Sequence, residues 1–214
     1  FLQNKLTTVD LSRCSNVDHA SENFFSATNA SKIAFYFDTA ENATGFKDTS
    51  AYESENAIFA VLNGGMIPSW EGWHKDKFEL VTPIRDGYKF DGWYSNEACT
   101  QELTGTPNVR DTYYAKWSKD EIDSIYGTGK NVDLGIIAEG GSTSATVGFT
   151  GTIALDRAES DHNYFTADIS GMTVTVAPVD GLKPGTYNDT IYVYTKTGAT
   201  HFIYVTLTVT EKSA

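Results

Sequence analysis

Residues 82–94, Thr-Pro-Ile-Arg-Asp-Gly-Tyr-Lys-Phe-Asp-Gly-Trp-Tyr, decide how the middle of this 214-residue chain is read. Asp86-Gly87 and Asp91-Gly92 are turn pairs. Tyr88, Phe90 and Trp93 alternate as strand residues across a bend at Gly92. Upstream, the apolar run 57–62 (AIFAVL) reads as a strand leading into Asn63-Gly64-Gly65. Downstream, Cys99 follows five residues after Tyr94, and 112–117 (TYYAKW) reads as a closing strand. Trp117 then packs beside Phe90 and Trp93, so these aromatics read as core and not as a stacking platform.

The order NGG, then PxRxGYxFxGWYxxxxC, then YAKW resembles the Listeria–Bacteroides repeat, also called the internalin B repeat. The resemblance covers 57–118 and implies a small β-grasp (ubiquitin-like) fold, with Cys99 at a small buried position. The chain departs from the repeat over 66–81, which carries Trp70, Trp73 and His74 where a short polar connection is usual. If Pro68 starts a helix, Trp70 and Trp73 share one face of it. They then pack against the preceding segment or form an aromatic patch for a ligand.

Working outward to the N-terminus, Leu6, Val9, Leu11, Cys14 and Val17 follow the spacing LxxLxLxxCxxL. A degraded copy lies 24 residues on, with Ala30, Ile33, Phe35 and Asp38 at corresponding places. That period falls within the range of leucine-rich repeats, in which the Cys turns the chain and is buried. LTTVDLS and the following Phe25-Ser26 resemble the BspA-like leucine-rich repeats of bacterial surface proteins. Asp38, Ser31 and Lys32 depart from the repeat and suggest the terminal cap of a longer array. The competing reading of 1–56 is an irregular extension packed on the next domain.

Working outward to the C-terminus, seven strand-like runs occupy 132–137, 144–149, 153–155, 164–169, 172–177, 190–195 and 200–210. Turn signals separate them at short intervals, the pattern of an immunoglobulin-like β-sandwich. LxPGTYxxxIxV, from Leu182 to Val193, resembles the loop-into-strand element of bacterial Ig-like surface modules, with Tyr187 anchoring the corner. In the last hairpin Ile191, Val193, Ile203, Val205, Leu207 and Val209 point one way. The opposite face carries Tyr192, Tyr194, Phe202 and Tyr204. A solvated antiparallel sheet is apolar on one face only, so the aromatic face is expected to be covered by another domain or to be a contact surface.

The fold class expected is therefore mainly β and multi-domain: a leucine-rich repeat cap (1–56), a β-grasp repeat (57–118), a linker (119–130) and an Ig-like sandwich (131–214). Short helices are expected at 17–25, 68–75 and 119–126. The chain starts at Phe1 without an initiator Met, as expected of a fragment.

Composition narrows the function. Lys and Arg number 16 against 28 Asp and Glu, a net charge of −12 that is negative in each zone. Nucleic acid as a partner is disfavoured, because phosphate binding needs clustered cations. No apolar run approaches the ~20 residues of a membrane-spanning helix. His19, His74, His162 and His201 are scattered outside metal-site spacing, and no nucleophile or nucleotide-binding motif occurs. Asp120, Glu121 and Asp123, and Asp156, Glu159 and Asp161, lack the pattern of a calcium loop and read as solvated loop charge. Neither a cofactor nor a metal is expected, and no residue is given a catalytic role. Cys14 and Cys99 lie in different modules and are expected to be buried free thiols.

The reading is a non-catalytic region of an extracellular bacterial surface protein, acting in adhesion or as a stalk. Its partner would be a protein or glycan of a host cell or matrix. Trp70, Trp73, Tyr192, Tyr194, Phe202 and Tyr204 are the candidate contact residues. The alternative is a glycan- or protein-binding accessory module of a secreted enzyme.

Overall fold

The run 33–37 (IAFYF) and the run 57–61 (AIFAV) are apolar at every position, as strands buried on both faces must be. In the computed structural model both are buried at all five residues. The structure describes residues 7–14, 32–47, 56–68, 78–120, 122, 124–127 and 129–212. Leu6, Trp70 and Trp73 and the expected helices at 17–25 and 68–75 lie outside them, apart from Pro68. The protein is mainly β and divides into two compact units.

The first unit holds residues 1–84 and 90–118. Strands β1 (Thr8–Asp10), β2 (Ile33–Phe37) and β3 (Ala57–Val61) run parallel in that order. Helix α1 (Ala40–Lys47) follows β2. Strand β4 (Tyr88–Tyr94) pairs antiparallel with β5 (Thr112–Lys119), and β5 pairs parallel with β3. Because side chains alternate, β2 and β3 build two cores. Phe35, Phe37, Phe59 and Val61 meet Ala43 and Phe46 of α1 on one face. Tyr36, Ile58, Ala60 and Leu62 meet Trp93, Tyr113 and Ala115 on the other.

The expected border at 56/57 falls inside this unit, because β2 and β3 pair along their full length from Ile33–Ala57 to Phe37–Val61. The register of β1 is also two residues from that expected: Val9 lies beside Phe35, not Ile33. A two-residue slip keeps every side chain on its own face, so the apolar pattern cannot distinguish the two registers. Helix α1 has no counterpart among the expected helices. Its segment, AENATGFK, carries a Gly and buries only Ala43 and Phe46, one turn apart. Thr39 starts it by capping the Asn42 amide through Oγ1 at 3.2 Å.

The second unit holds 85–89 and 119–214. One sheet has the order β9 (Leu155–Ser160), β12 (Gly185–Thr195), β13 (Ala199–Thr210), with β7 (Asn131–Ala138) parallel to β13. The other has the order β10 (Phe165–Ser170), β11 (Thr173–Pro178), β8 (Ala145–Thr150), β6 (Ser124–Gly127). Both sheets contribute to one core: Ile191, Val193, Ile203, Val205 and Leu207 from the first, Val147, Phe149, Phe165, Val174 and Val176 from the second. Within 119–130, expected to be a linker with a short helix, residues 124–127 instead form a strand paired with β8. Isolated polar and Gly residues there weaken a helix, and the free edge of β8 supplies the hydrogen bonds.

Candidate functional site

The motif residues of the first unit prove to be one interlocked device. Asn63 and Gly64 both take positive φ, 50° and 83°, and turn the chain out of β3. Asn63 Nδ2 donates to the Ala115 carbonyl at 2.8 Å. Trp117 Nε1 donates back to the Leu62 carbonyl at 2.9 Å. Gly65 is required by proximity: a Cβ there would lie 2.4 Å from the Trp117 ring. Phe90 touches both Trp93 and Trp117, with ring centroids 5.6 and 5.4 Å away. Trp93 is buried, and its Nε1 reaches the Val81 carbonyl at 3.3 Å. Tyr88 falls in the second unit instead, where it is half-buried and stacks under the Arg85 guanidinium.

The other residues expected in cores divide. Val9 and Leu11 are half-buried against the α1-facing cluster. Cys14 is exposed, contrary to expectation, because it ends a tight turn on Leu11 whose other members, Ser12 and Arg13, are half-buried or exposed. Cys99 is partly exposed and has positive φ, and partial burial pushes its thiol pKa up. Both thiols are free. Tyr187 sends its hydroxyl to the Lys183 carbonyl four residues upstream at 2.8 Å.

The aromatic face of β12 and β13 lies outside the sandwich core. Tyr192 sits opposite Phe202 with ring centroids 5.2 Å apart, and Phe202 meets Tyr204 edge-on. The Arg157 guanidinium covers Tyr194 at 3.7 Å. Tyr192, Tyr194 and Phe202 are buried, whereas Tyr204 is 44% exposed. Of the four rings, Tyr204 is therefore the one with surface open to solvent.

The expected acidic loop clusters are largely paired. Asp156 and Glu159 lie on β9 rather than in a loop, and Asp156 bonds Lys196 while Glu159 meets Arg157 at 3.0 Å. The Lys196 ammonium holds the Asp156 carboxyl below the usual carboxylate range. Asp120 meets His201 at 2.6 Å. Glu121 and Asp123 lie outside the described residues.

A grouping that sequence reasoning missed surrounds Asp189 on β12. Its side chain is fully buried. Oδ1 accepts from the Thr190 and His162 amides at 2.7 and 3.1 Å, and Oδ2 accepts from Ser160 Oγ at 2.6 Å and more distantly from the Tyr164 amide. His162 Nδ1 lies 3.2 Å from Asp189 Oδ1 and 3.6 Å from Asp161 Oδ2. His162 stacks on Tyr164, which meets Tyr187 edge-on. Asp161 and His162 stand adjacent in the sequence, but nothing in it signals that Asp189 joins them across 27 residues.

No family model matches the chain, and no curated protein matches it. Among solved structures, it is similar to domains 4–9 of the surface layer protein SbsC, at 16% identity and a TM-score of 0.29. That match covers 65% of this chain and 25% of the other, so the chain spans a quarter of the structure it matches.

Proposed function

We propose that this chain is a non-catalytic modular segment of a bacterial surface protein, serving adhesion or acting as a stalk toward a protein or glycan of a host cell or matrix. The observation that carries this reading is the parallel ladder of β1, β2 and β3. Val9 lies beside Phe35 and Phe35 beside Phe59, offsets of 26 and 24 residues. Parallel strands recurring at that period are how leucine-rich arrays bury faces that one repeat cannot bury alone. The NGG–YAKW interlock supports the internalin B-type reading of 57–118, and the two-sheet core supports an Ig-like reading of 131–214.

The test is retention of beads coated with the 214-residue chain on host epithelial monolayers, on matrix proteins and on a glycan array. The reading expects retention above beads coated with an unrelated acidic β-protein. Equal retention of both on every surface would refute the adhesive role. Binding confined to polysaccharide would favour the accessory-module alternative.

A further inference from the structure

We infer that Asp161, His162 and Asp189 form a binding site for a divalent metal ion of the Zn²⁺ class. Two carboxylate oxygens converge on one imidazole nitrogen, at 3.2 and 3.6 Å, and all three atoms lie within 4.8 Å of one another. Three potential ligand atoms this close can be bridged by a single cation.

Distances and donor types both select the ion. Zn²⁺ bonds nitrogen and oxygen at about 2.0–2.2 Å with tetrahedral angles, which sets neighbouring ligand atoms about 3.3–3.5 Å apart. The two measured separations, 3.2 and 3.6 Å, bracket that range. An imidazole nitrogen suits Zn²⁺ and its neighbours in the transition series, whereas Ca²⁺ and Mg²⁺ prefer oxygen throughout.

The site is also supported from behind. Ser160 Oγ and the Thr190 amide hold the Asp189 carboxylate in place, the role that outer hydrogen bonds play around metal-binding carboxylates. Tyr164 stacks on the His162 ring and fixes its plane. The His162 side chain is 51% exposed while Asp189 is fully buried, so a water from solvent completes the coordination. Because Asp161 and His162 follow β9 and Asp189 lies on β12, the ion fastens the β9–β10 turn to the sheet.

The experiment is a calorimetric titration of the chelator-treated 214-residue chain with ZnCl₂, in a Cys14→Ser background to remove the exposed thiol. Thermal melts with and without Zn²⁺ accompany it. One ion per chain and a Zn²⁺-dependent rise in Tm are expected. His162→Gln and Asp161→Asn should each weaken binding at least tenfold and abolish the rise. Asp189 is left intact, since its carboxylate also holds the turn. The inference fails if Zn²⁺ gives no binding heat, if His162→Gln binds as tightly as the parent, or if Ca²⁺ binds and Zn²⁺ does not.

Discussion

The imidazole Nε2 of His201 lies 2.6 Å from the Asp120 carboxylate, with only 6% and 3% of the two side chains exposed. His201 also meets the ring of Phe149 edge-on, so the pair sits against the sandwich core. Removing one member of such a pair leaves its partner buried without a hydrogen bond, at a cost of about 1–3 kcal/mol. Asp120→Ala and His201→Ala should each lower stability by that order in urea unfolding. The double variant should cost clearly less than the sum. Additive losses would show that the two groups are not coupled.

Gly65 and Trp117 make a second coupled pair. A methyl group at Gly65 meets the indole at 2.4 Å, and overpacking of this kind costs about 1–3 kcal/mol. Gly65→Ala should therefore destabilise the first unit, as read from Trp fluorescence during denaturation. Adding Trp117→Leu should relieve most of that penalty, apart from the lost bond to the Leu62 carbonyl.

Tyr36 gives the first unit a defined alkaline limit. Its hydroxyl is buried and accepts from the Val81 amide at 2.8 Å, and burial pushes the phenol pKa far above its ordinary value of 10.0. Between that value and the raised one, the unfolded chain has lost the proton while the folded chain keeps it. Stability is thus fully present below about pH 10 and falls as pH rises further, by up to about 1.4 kcal/mol per pH unit. Tyr36→Phe should flatten this alkaline slope. At neutral pH it should cost about 1–3 kcal/mol, because the Val81 amide loses its acceptor. An unchanged slope in the variant would assign it to another group.

Asp189 organises the β9–β10 turn with or without metal. Asp189→Ala strips acceptors from Ser160, His162 and Thr190 and should cost about 2–4 kcal/mol. Hydrogen exchange should show faster exchange at the His162, Tyr164 and Thr190 amides. Protection equal to that of the parent would mean that the turn holds without the carboxylate.

Much of the strand inventory was legible from composition and period. β3, β5, β7, β8, β10 and β11 fall within a residue or two of the runs read from the sequence, because Val, Ile, Thr and aromatics between turn pairs leave few alternatives. β9 was less legible: it extends through Asp156, Arg157 and Glu159, residues that look like loop charge until their cation partners and the β12 edge are in place.

What the sequence alone determined was the β class of the chain, its alternating and continuous apolar strands, and the aromatic set of 82–117, since these follow from side-chain chemistry and local spacing. The tertiary structure decided the rest. It set the two-residue register of β1 on β2, joined β2 to β3 in one unit, and exposed Cys14. It also brought Asp120 to His201 and Asp189 to His162. Each of these depends on hydrogen-bond pairing or burial between segments far apart in the chain, and a period-2 pattern carries no information about which partner, or which of two same-face registers, a strand will take.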